Sequence, residues 1–436
     1  MKKKLILIAL TVVLTLGVAL VITGCGGSDS DSGSSDGTTL TLWTHNNEDT
    51  WNESYQNIVD AYMEENPDVT VNIESFPYDE FESKVQTALM SNEGGADIYE
   101  MWGGWGVDFA PAGVLAPLPE EMQAEVKDEC YPNTYGALEA DGVIYGVPQE
   151  FNIECGGLIV NNNVMKDAGV EVPTTWDELK AAAEKGTVKD GNKIKVKGFD
   201  FVNWDGVMYL WTSMILSQGE NYLNDDGTIN VTSDDAKKAW DELASMASGD
   251  TAVTNLSGLD DGSDIEGYQE LYTGDVMMVP RGPWCLAEGV NDFGLEYGKD
   301  FSYEAMPFYG PEKKFAAETG WSMAVAAGLD EAQEAAAFDF LNYFFSDDVI
   351  MQHNLACGQI PAKEAVAQDP EYVKNFPYAE PLVGILDGAQ FIGSFNTDVF
   401  KECVNESFSA YCKGEAGTTD ECLAALEKTL NKKLFK

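Results

Sequence analysis

The sequence has very little positive charge that could form an anion-binding site. Its 436 residues include a single arginine, Arg281, and the formal net charge is −48. Such a chain is repelled by nucleic acid and by anionic lipid, so both are excluded as partners. Phosphate, sulfate and uronate ligands usually require an arginine fork or a basic cluster. A ligand of this protein is therefore expected to be neutral.

Residues typical of catalytic and metal sites are also scarce. The two histidines, His45 and His353, lie in no HExxH pattern, and no GxxxxGK[ST] phosphate loop is present. One GxSxG match begins at Gly33, in a Gly/Ser/Asp segment where no strand-turn-helix could hold a nucleophile. Glu150 and Glu154 could serve a glycosidase, but among 74 acidic residues a nearby pair carries little information. The sequence predicts no catalytic residue, no metal site and no cofactor.

The eight cysteines do not form a metal-binding pattern. Cys25 directly follows the leader, and the other seven lie far apart without CxxC spacing, which argues against zinc. An odd number cannot all pair. The sequence leaves two alternatives open, one disulfide among Cys403, Cys412 and Cys422 or buried free thiols throughout. Buried free thiols are favoured.

A basic head and an apolar run form the leader at residues 1–24. The run extends almost continuously from Leu5 to Ile22 and ends in small residues, as in a secretory signal peptide. Cys25 follows Thr-Gly, which resembles a bacterial lipobox in which this cysteine becomes the lipidated first residue. A transmembrane anchor and a plain signal peptide are the alternatives. Residues 25–37 are a flexible Gly/Ser/Asp tether, which favours a lipid-anchored folded body.

Strand and helix patterns alternate after the tether. The spacing of apolar residues predicts strands and helices in turn at about 40–43, 50–65, 69–73, 81–89 and 96–99. Further helices are predicted at about 204–218, 233–247 and 332–345. Thr175 and Glu178 form a capping box that starts another helix. The alternation predicts a parallel α/β sheet whose ligands lie at the carboxyl ends of strands, and the length of the chain predicts two lobes.

The ten tryptophans are the most informative residues. Trp51, Trp176 and Trp240 lie at core-facing helical positions and are assigned to packing. The other seven lie near glycines, asparagines or strand ends: Trp43, Trp102, Trp105, Trp204, Trp211, Trp284 and Trp321. An exposed indole fits the C–H face of a sugar ring and contributes about 0.5–1.5 kcal/mol beyond the buried area. The Trp-Gly-Gly-Trp-Gly stretch at 102–106 is therefore predicted to hold indoles out toward a ligand.

Five segments are similar to segments of one protein family: Ala96–Trp102, Tyr145–Pro148, Leu158–Asn162, Tyr272–Trp284 and Gly320–Val325. The fourth contains a Gly-Asp-hydrophobic run that closes on Gly-Pro-Trp, and in the first Ala96 stands where the family has proline. These segments resemble the extracellular solute-binding proteins of ABC importers, in the branch that includes maltodextrin-binding proteins. The likeness covers essentially the whole mature chain. In that family the tryptophan at the position of Trp284 commonly stacks on bound sugar.

The resemblance implies an α/β fold of two discontinuous lobes, the type II periplasmic-binding-protein fold, which closes on its ligand about a hinge. Residues 38–147 plus 306–347 would form the first lobe, and residues 148–305 plus 348–436 the second. Phe395 would add one stacking face. The resemblance also implies a set of ligand-binding residues from both lobes: Glu48, Asp97, Trp102, Trp105, Asn152, Glu154, Trp204, Trp211, Trp284 and Trp321.

The function implied is that of an extracytoplasmic receptor anchored to the cell membrane by its lipid. It would bind a soluble neutral oligosaccharide as a monomer, without covalent chemistry, and deliver it to ABC permease subunits. A carbohydrate-active enzyme and a surface adhesin for insoluble glycan are the two alternatives. An enzyme would turn the sugar into product, and an adhesin would present coplanar exposed rings instead of a cleft.

Overall fold

The computed structural model describes residues 37–46, 49–91, 94–260 and 267–435. The predicted signal peptide, the predicted lipidation site Cys25, the predicted tether up to residue 36 and the predicted ligand-binding residue Glu48 lie outside the described residues. The strands, numbered in chain order, are β1 Thr38–Asn46, β2 Val69–Pro77, β3 Ile98–Trp102, β4 Glu139–Ala140, β5 Val143–Ile144, β6 Gly146–Pro148, β7 Gly157–Asn161, β8 Val188–Asp190, β9 Lys193–Val196, β10 Met278–Pro280, β11 Phe301–Ala305, β12 Phe315–Ala317, β13 Trp321–Val325 and β14 Ala389–Phe391.

Helices flank these strands. The longer ones are Asp49–Glu65, Tyr78–Ser91, Glu120–Glu129, Trp176–Gly186, Gly206–Ser217, Asp234–Ala247, Glu331–Phe344, Asp347–Cys357, Thr397–Cys412 and Thr419–Leu434. Shorter α-helical turns are Gly103–Gly106, Phe109–Ala112, Pro132–Tyr135, Asn162–Ala168, Ser257–Asp260, Gly267–Thr273, Leu286–Asn291, Glu364–Ala367, Pro370–Asn375 and Glu380–Val383. Turns of 3-10 helix are Gly136–Leu138, Pro283–Cys285 and Leu386–Gly388.

The capping box predicted from the sequence is confirmed at the start of Trp176–Gly186. Thr175 Oγ1 accepts a hydrogen bond from Glu178 N, and Glu178 Oε2 accepts one from Thr175 N, at 3.3 and 3.2 Å. Two backbone N–H groups that the helix itself cannot pair are thus satisfied. The three helices predicted farther along the chain, beginning near 204, 233 and 332, are confirmed within two residues at each end.

The first lobe is built on a five-stranded sheet in the order β2-β1-β3-β13-β6. The strand β1 runs parallel to both neighbours, with Leu42 opposite Ile73 and Ile98. The strand β13 runs antiparallel to β3, which sets Trp321 directly opposite Trp102. The register therefore brings two predicted site residues together at the carboxyl end of β3.

The second lobe is built on the antiparallel sheet β10-β7-β11. Ile159 at the centre of β7 packs into one apolar core, while Leu158 and Val160 on either side of it pack into another. Because both faces of the sheet are covered, the strand is a continuous apolar run without polar alternation.

Three chain segments cross between the lobes side by side. Phe151 forms a β-bridge with Thr319, and Glu150 forms one with Pro361. Before the second crossing β12 still pairs with β14, and before the third the helix Asp347–Cys357 packs on the first-lobe helix Asp49–Glu65. We therefore infer that the chain crosses near 318–320 and 358–362, later than the predicted boundaries at 306 and 348.

Two further features bear on the sequence expectations. No helix in the described ranges is long and apolar enough to span a bilayer. No disulfide forms in the described part of the chain, and Cys403, Cys412 and Cys422 are thiols. The alternative of one disulfide among these three cysteines is therefore not what the structure shows.

Candidate functional site

The turn Gly103–Gly106 follows β3 and passes very close to the second crossing segment. Gly103 N donates a hydrogen bond to Gly320 O at 3.3 Å. A Cβ atom on Gly103 would lie closer than 3.0 Å to Thr319 O, which real Cβ atoms essentially never do. Glycine is therefore required here because the backbone of the turn must reach the backbone of the crossing segment.

The three first-lobe tryptophans predicted for the site are brought together at this turn. The Trp321 ring lies 5.5 Å from the Trp102 ring and 6.5 Å from the Trp105 ring, centroid to centroid, and it stacks on His45 at 3.9 Å. Their exposed fractions are only 9%, 5% and 6% for Trp102, Trp105 and Trp321. The expectation that the turn holds indoles out toward a ligand is therefore corrected, because the rings at the strand ends bury one another.

A buried polar network supports this aromatic cluster. The Glu100 carboxylate accepts hydrogen bonds from His45 N at 2.8 Å and from the Tyr55 hydroxyl, and it lies 2.8 Å from His45 Nδ1. The Tyr55 hydroxyl also lies 2.8 Å from Gln149 Oε1 in the first crossing segment. Burial, strengthened by the charge of Glu100, raises the pKa of Tyr55 well above its ordinary value. The network fixes the first-lobe cluster relative to the crossings.

On the second lobe, Glu154 joins three side chains at one point. Its Oε1 accepts hydrogen bonds from Asn152 Nδ2 at 3.2 Å and from Trp284 Nε1 at 3.3 Å, and its Oε2 lies 3.7 Å from an Arg281 nitrogen. Burial raises the pKa of Glu154, the charge of Asp205 raises it further, and Arg281 opposes both. Asn152, Glu154 and Trp284, all predicted for the site, are thus in direct contact.

Opposite charges are paired around Asp205, next to Glu154. Arg281 and Lys401 donate to the two carboxylate oxygens of Asp205 at 3.0 and 3.1 Å, and Lys401 lies 3.3 Å from Asp398. Burial acts to raise the pKa of Asp205, but Lys401 and Arg281 outweigh it and hold that pKa below its ordinary value. The guanidinium lies 5.5 Å from the ring centre of Trp284, where a cation–π contact forms.

Asparagine side chains border the same network and leave buried amide atoms without partners. Asn405 Nδ2 donates to Trp204 O at 2.8 Å, and Asn203 Oδ1 accepts from Gly206 N at 2.8 Å. Among the described residues, Asn152 Oδ1, Asn203 Nδ2 and Asn405 Oδ1 are buried and have no hydrogen-bond partner. Beside them Trp204 is 46% exposed, and Trp284 is half-buried.

Two crossing-segment carboxyls complete the site. Glu318 accepts hydrogen bonds from the hydroxyls of Tyr209 and Thr397, and Glu150 Oε1 accepts one from Trp321 N at 3.1 Å. Burial raises the pKa of each of these glutamates to about 8. Both therefore hold a proton up to a higher pH than an ordinary glutamate does.

Other predicted site residues lie elsewhere. Trp211 is fully buried, donates its indole N–H to Ala236 O at 3.0 Å and packs 4.7 Å from Trp240, so it belongs to the second-lobe core and is removed from the site. Asp97 accepts from Thr41 N at 2.7 Å at the amino end of β3, about 16 Å from Trp102 by strand geometry. Phe395 is a core residue, 3% exposed. These three expectations are corrected.

Sequence reasoning missed several residues of the site: Asp205, Tyr209, Arg281, Glu318, Thr397 and Lys401. For Arg281 a signal existed, since a lone arginine three residues before Trp284 is unusual in so acidic a chain. For Glu318 and Thr397 there was none, because their contact joins residues 79 apart. In the described ranges, no group of three or more His, Cys, Asp or Glu side chains could hold a metal ion.

Comparisons with known proteins identify the family of the chain. The model of a family described as bacterial extracellular solute-binding protein matches residues 48–351. The maltotriose-binding protein of Pyrococcus abyssi (strain GE5 / Orsay) is 25% identical over 358 residues, which cover 78% of this chain and 69% of that protein. The lactose-binding protein of Rhizobium radiobacter is 27% identical over 405 residues, covering 84% and 86%.

Solved structures show the same fold. The GacH receptor of Streptomyces glaucescens, solved unliganded and with acarbose, has a TM-score of 0.71 at 22% identity and covers 91% of this chain and 98% of its own. Maltose-bound MalE3 of T. maritima has a TM-score of 0.73 at 19% identity, covering 91% and 100%. The predicted two-lobed α/β class is confirmed.

Proposed function

The chain belongs to the bacterial extracellular solute-binding proteins, and from that premise we propose that it binds a neutral oligosaccharide between its lobes and delivers it to an ABC import permease. The maltotriose- and lactose-binding relatives support this substrate class. We further propose that Cys25 carries a lipid, so that a monomeric receptor stays at the outer face of the cell membrane.

The observation that carries the proposal is the set of buried amide atoms without partners, Asn152 Oδ1, Asn203 Nδ2 and Asn405 Oδ1. A buried polar atom without a hydrogen bond costs about 1–3 kcal/mol. A hydroxyl can both donate and accept, so a sugar with several hydroxyls suits a mixture of amide oxygens and nitrogens. The neighbouring charges are already engaged in ion pairs with one another, so a neutral ligand would leave those pairs intact.

The two accessible indoles supply the apolar part of the proposed site. Trp204 and Trp284 keep exposed ring surface beside the asparagines, and each could cover the C–H face of a sugar ring. The Trp284 ring is held by its hydrogen bond to Glu154 and by the guanidinium of Arg281. We therefore propose that Asn152, Glu154, Trp204 and Trp284 contact the sugar, with Trp102 at the facing edge of the first lobe.

We propose that Glu150 and Glu154 perform no covalent chemistry and that the protein only binds its sugar. Glu154 is held by Asn152, Trp284 and Arg281, and Glu150 accepts a hydrogen bond from the backbone of Trp321. These contacts support a role without covalent catalysis for both carboxyls. The candidate residues come from both lobes, which supports a site that encloses a short soluble oligosaccharide. An adhesin would instead present its rings on one exposed face, so this arrangement disfavours an adhesin.

Calorimetry on the mature chain tests the proposal. Maltotriose, lactose, raffinose and mannobiose would be titrated, with galacturonic acid and glucose 6-phosphate as charged controls. We expect at least one neutral sugar to bind with one-to-one stoichiometry and a Kd of about 1 μM or tighter, that is about −8 kcal/mol, and to be recovered intact by chromatography. Binding of the charged controls alone, or conversion of a sugar into product, would contradict the proposal.

A further inference from the structure

Gly104, in the first-lobe turn Gly103–Gly106, lies against the side chains of Glu318 and Thr397. A Cβ atom on Gly104 would lie closer than 3.0 Å to Glu318 Oε1 and to Thr397 Oγ1, and also to Trp102 Nε1 of its own lobe. Glu318 lies in the second crossing segment, and Thr397 begins the second-lobe helix Thr397–Cys412. The backbone of the first lobe therefore touches the second lobe at a position where only a hydrogen atom fits.

The two side chains that Gly104 meets cannot easily move away. The Glu318 carboxyl is 1% exposed and accepts hydrogen bonds from both Tyr209 and Thr397, and Thr397 is 1% exposed. Moving either one would break a buried hydrogen bond, which costs about 1–3 kcal/mol. A methyl group at position 104 would therefore push the turn away from Glu318 and Thr397, and the Trp102 side chain beside it in the same lobe would have to shift as well.

We propose that Gly104 is a positioning residue that sets how far the two lobes close. With glycine, the turn seats against Glu318 and Thr397. With any side chain at this position, closure stops before the turn is seated. The proposal rests on the proposed function in one respect, which is that the ligand enclosed by the closed lobes is a sugar.

The helix Tyr78–Ser91 of the first lobe supports the same approach of the lobes. Burial raises the pKa of Glu82, and the charge of Asp398 on the second lobe raises it further while Lys401 lowers it. Side chains of the two lobes are thus near enough for their charges to interact beside the Gly104 contact.

The chain offers a matched control in the same turn. A Cβ on Gly106 would lie 3.7 and 3.9 Å from Met101 atoms, which is ordinary contact. We expect Gly104→Ala to weaken binding of the tightest sugar among maltotriose, lactose, raffinose and mannobiose by about tenfold, because the closed population falls. Gly106→Ala should bind within about twofold of the unchanged protein and melt within about 2 °C of it. Equal affinities for Gly104→Ala and Gly106→Ala would overturn the proposal.

A second readout needs no sugar. Cysteines placed by Glu82→Cys and Asp398→Cys would be joined by a short bis-maleimide, and the linked peptides quantified by mass spectrometry. We expect the Gly104→Ala background to form this link about tenfold more slowly than the Gly106→Ala background. Equal rates would overturn the proposal, as would Gly104→Ala failing to fold while Gly106→Ala folds. If the unchanged protein binds none of the four sugars, the proposed function fails while the linking rates still decide the role of Gly104.

Discussion

Arg281, the single arginine of the chain, donates to Asp205 Oδ2 at 3.0 Å and is almost wholly buried. The sequence suggested a neutral ligand because arginine is so scarce. The structure adds a physical reason, since this one guanidinium is already engaged by Asp205 and Glu154. An anionic ligand would have to compete with both carboxylates for it.

Removing the Arg281 charge should destabilise the fold. We expect Arg281→Met to lower the free energy of unfolding by about 3–5 kcal/mol, because the buried Glu154 would lose its cationic partner and Asp205 would keep Lys401 alone of the two cations that it pairs with. Lys299→Met is the control, since Lys299 and Glu296 pair at the surface, each 67% exposed, and such pairs contribute about 0–1 kcal/mol. Urea unfolding measures both. Similar small losses in the two variants would show that the buried pair is not needed for stability.

Removing the Trp284 ring should weaken sugar binding. We expect Trp284→Ala to lose about 1–3 kcal/mol of binding free energy, the scale of a buried aromatic contact. Tyr378→Ala is the matched control, because Tyr378 is a partly buried aromatic on the same apolar core but packs against Tyr297 and Phe376. Calorimetry should give unchanged affinity for the control. Unchanged affinity in Trp284→Ala would remove this residue from the site.

The buried crossing-segment carboxyls should make stability depend on pH. Burial raises the pKa of Glu150 and Glu318 to about 8, above the ordinary value of about 4.3 in an unfolded chain. The folded state thus holds protons that the unfolded state has lost, and stability falls as pH rises from about 4.5 to 8. Burial lowers the pKa of His353 to about 3, which acts in the opposite direction below about pH 6.5.

In the window from pH 6.5 to 8 the contribution of His353 has ended, so the slope reports carboxyls with a raised pKa, among them Glu150 and Glu318. Each should reduce the free energy of unfolding by up to about 1.4 kcal/mol per pH unit there. We expect Glu318→Gln to reduce this slope by up to about 1.4 kcal/mol per pH unit, measured by urea unfolding at several pH values. An identical slope in Glu318→Gln and the unchanged protein would mean that Glu318 is not protonated in the fold.

Local patterns in the sequence were enough for much of the fold. Trp51, Trp176 and Trp240 were assigned to cores from helical spacing, and all three are buried. Trp211 could not be separated from a site residue, because all of Gly206–Ser217 is buried and no face of that helix shows an apolar stripe. Being near a polar loop was therefore an unreliable sign of exposure.

Long-range contacts were beyond the sequence. The glycines between Trp102 and Trp105 indicated a bent backbone, but their physical reason is close contact with Thr319 and Thr397, hundreds of residues along the chain. The resemblance to a family gave Asn152, Glu154 and Trp284, which do meet, and it also gave Asp97, which lies at the wrong end of β3. A similar segment fixes a residue's place in the chain, not the direction of its side chain.

The most direct test of the account is a crystal structure of the mature chain with the tightest-binding sugar of the panel. We expect a sugar ring against the Trp284 indole, with hydroxyls hydrogen-bonded to Glu154 or Asn152 and the first-lobe turn seated at Thr397. Sugar density on an outer surface of either lobe, with Trp284 and Asn152 untouched, would contradict it.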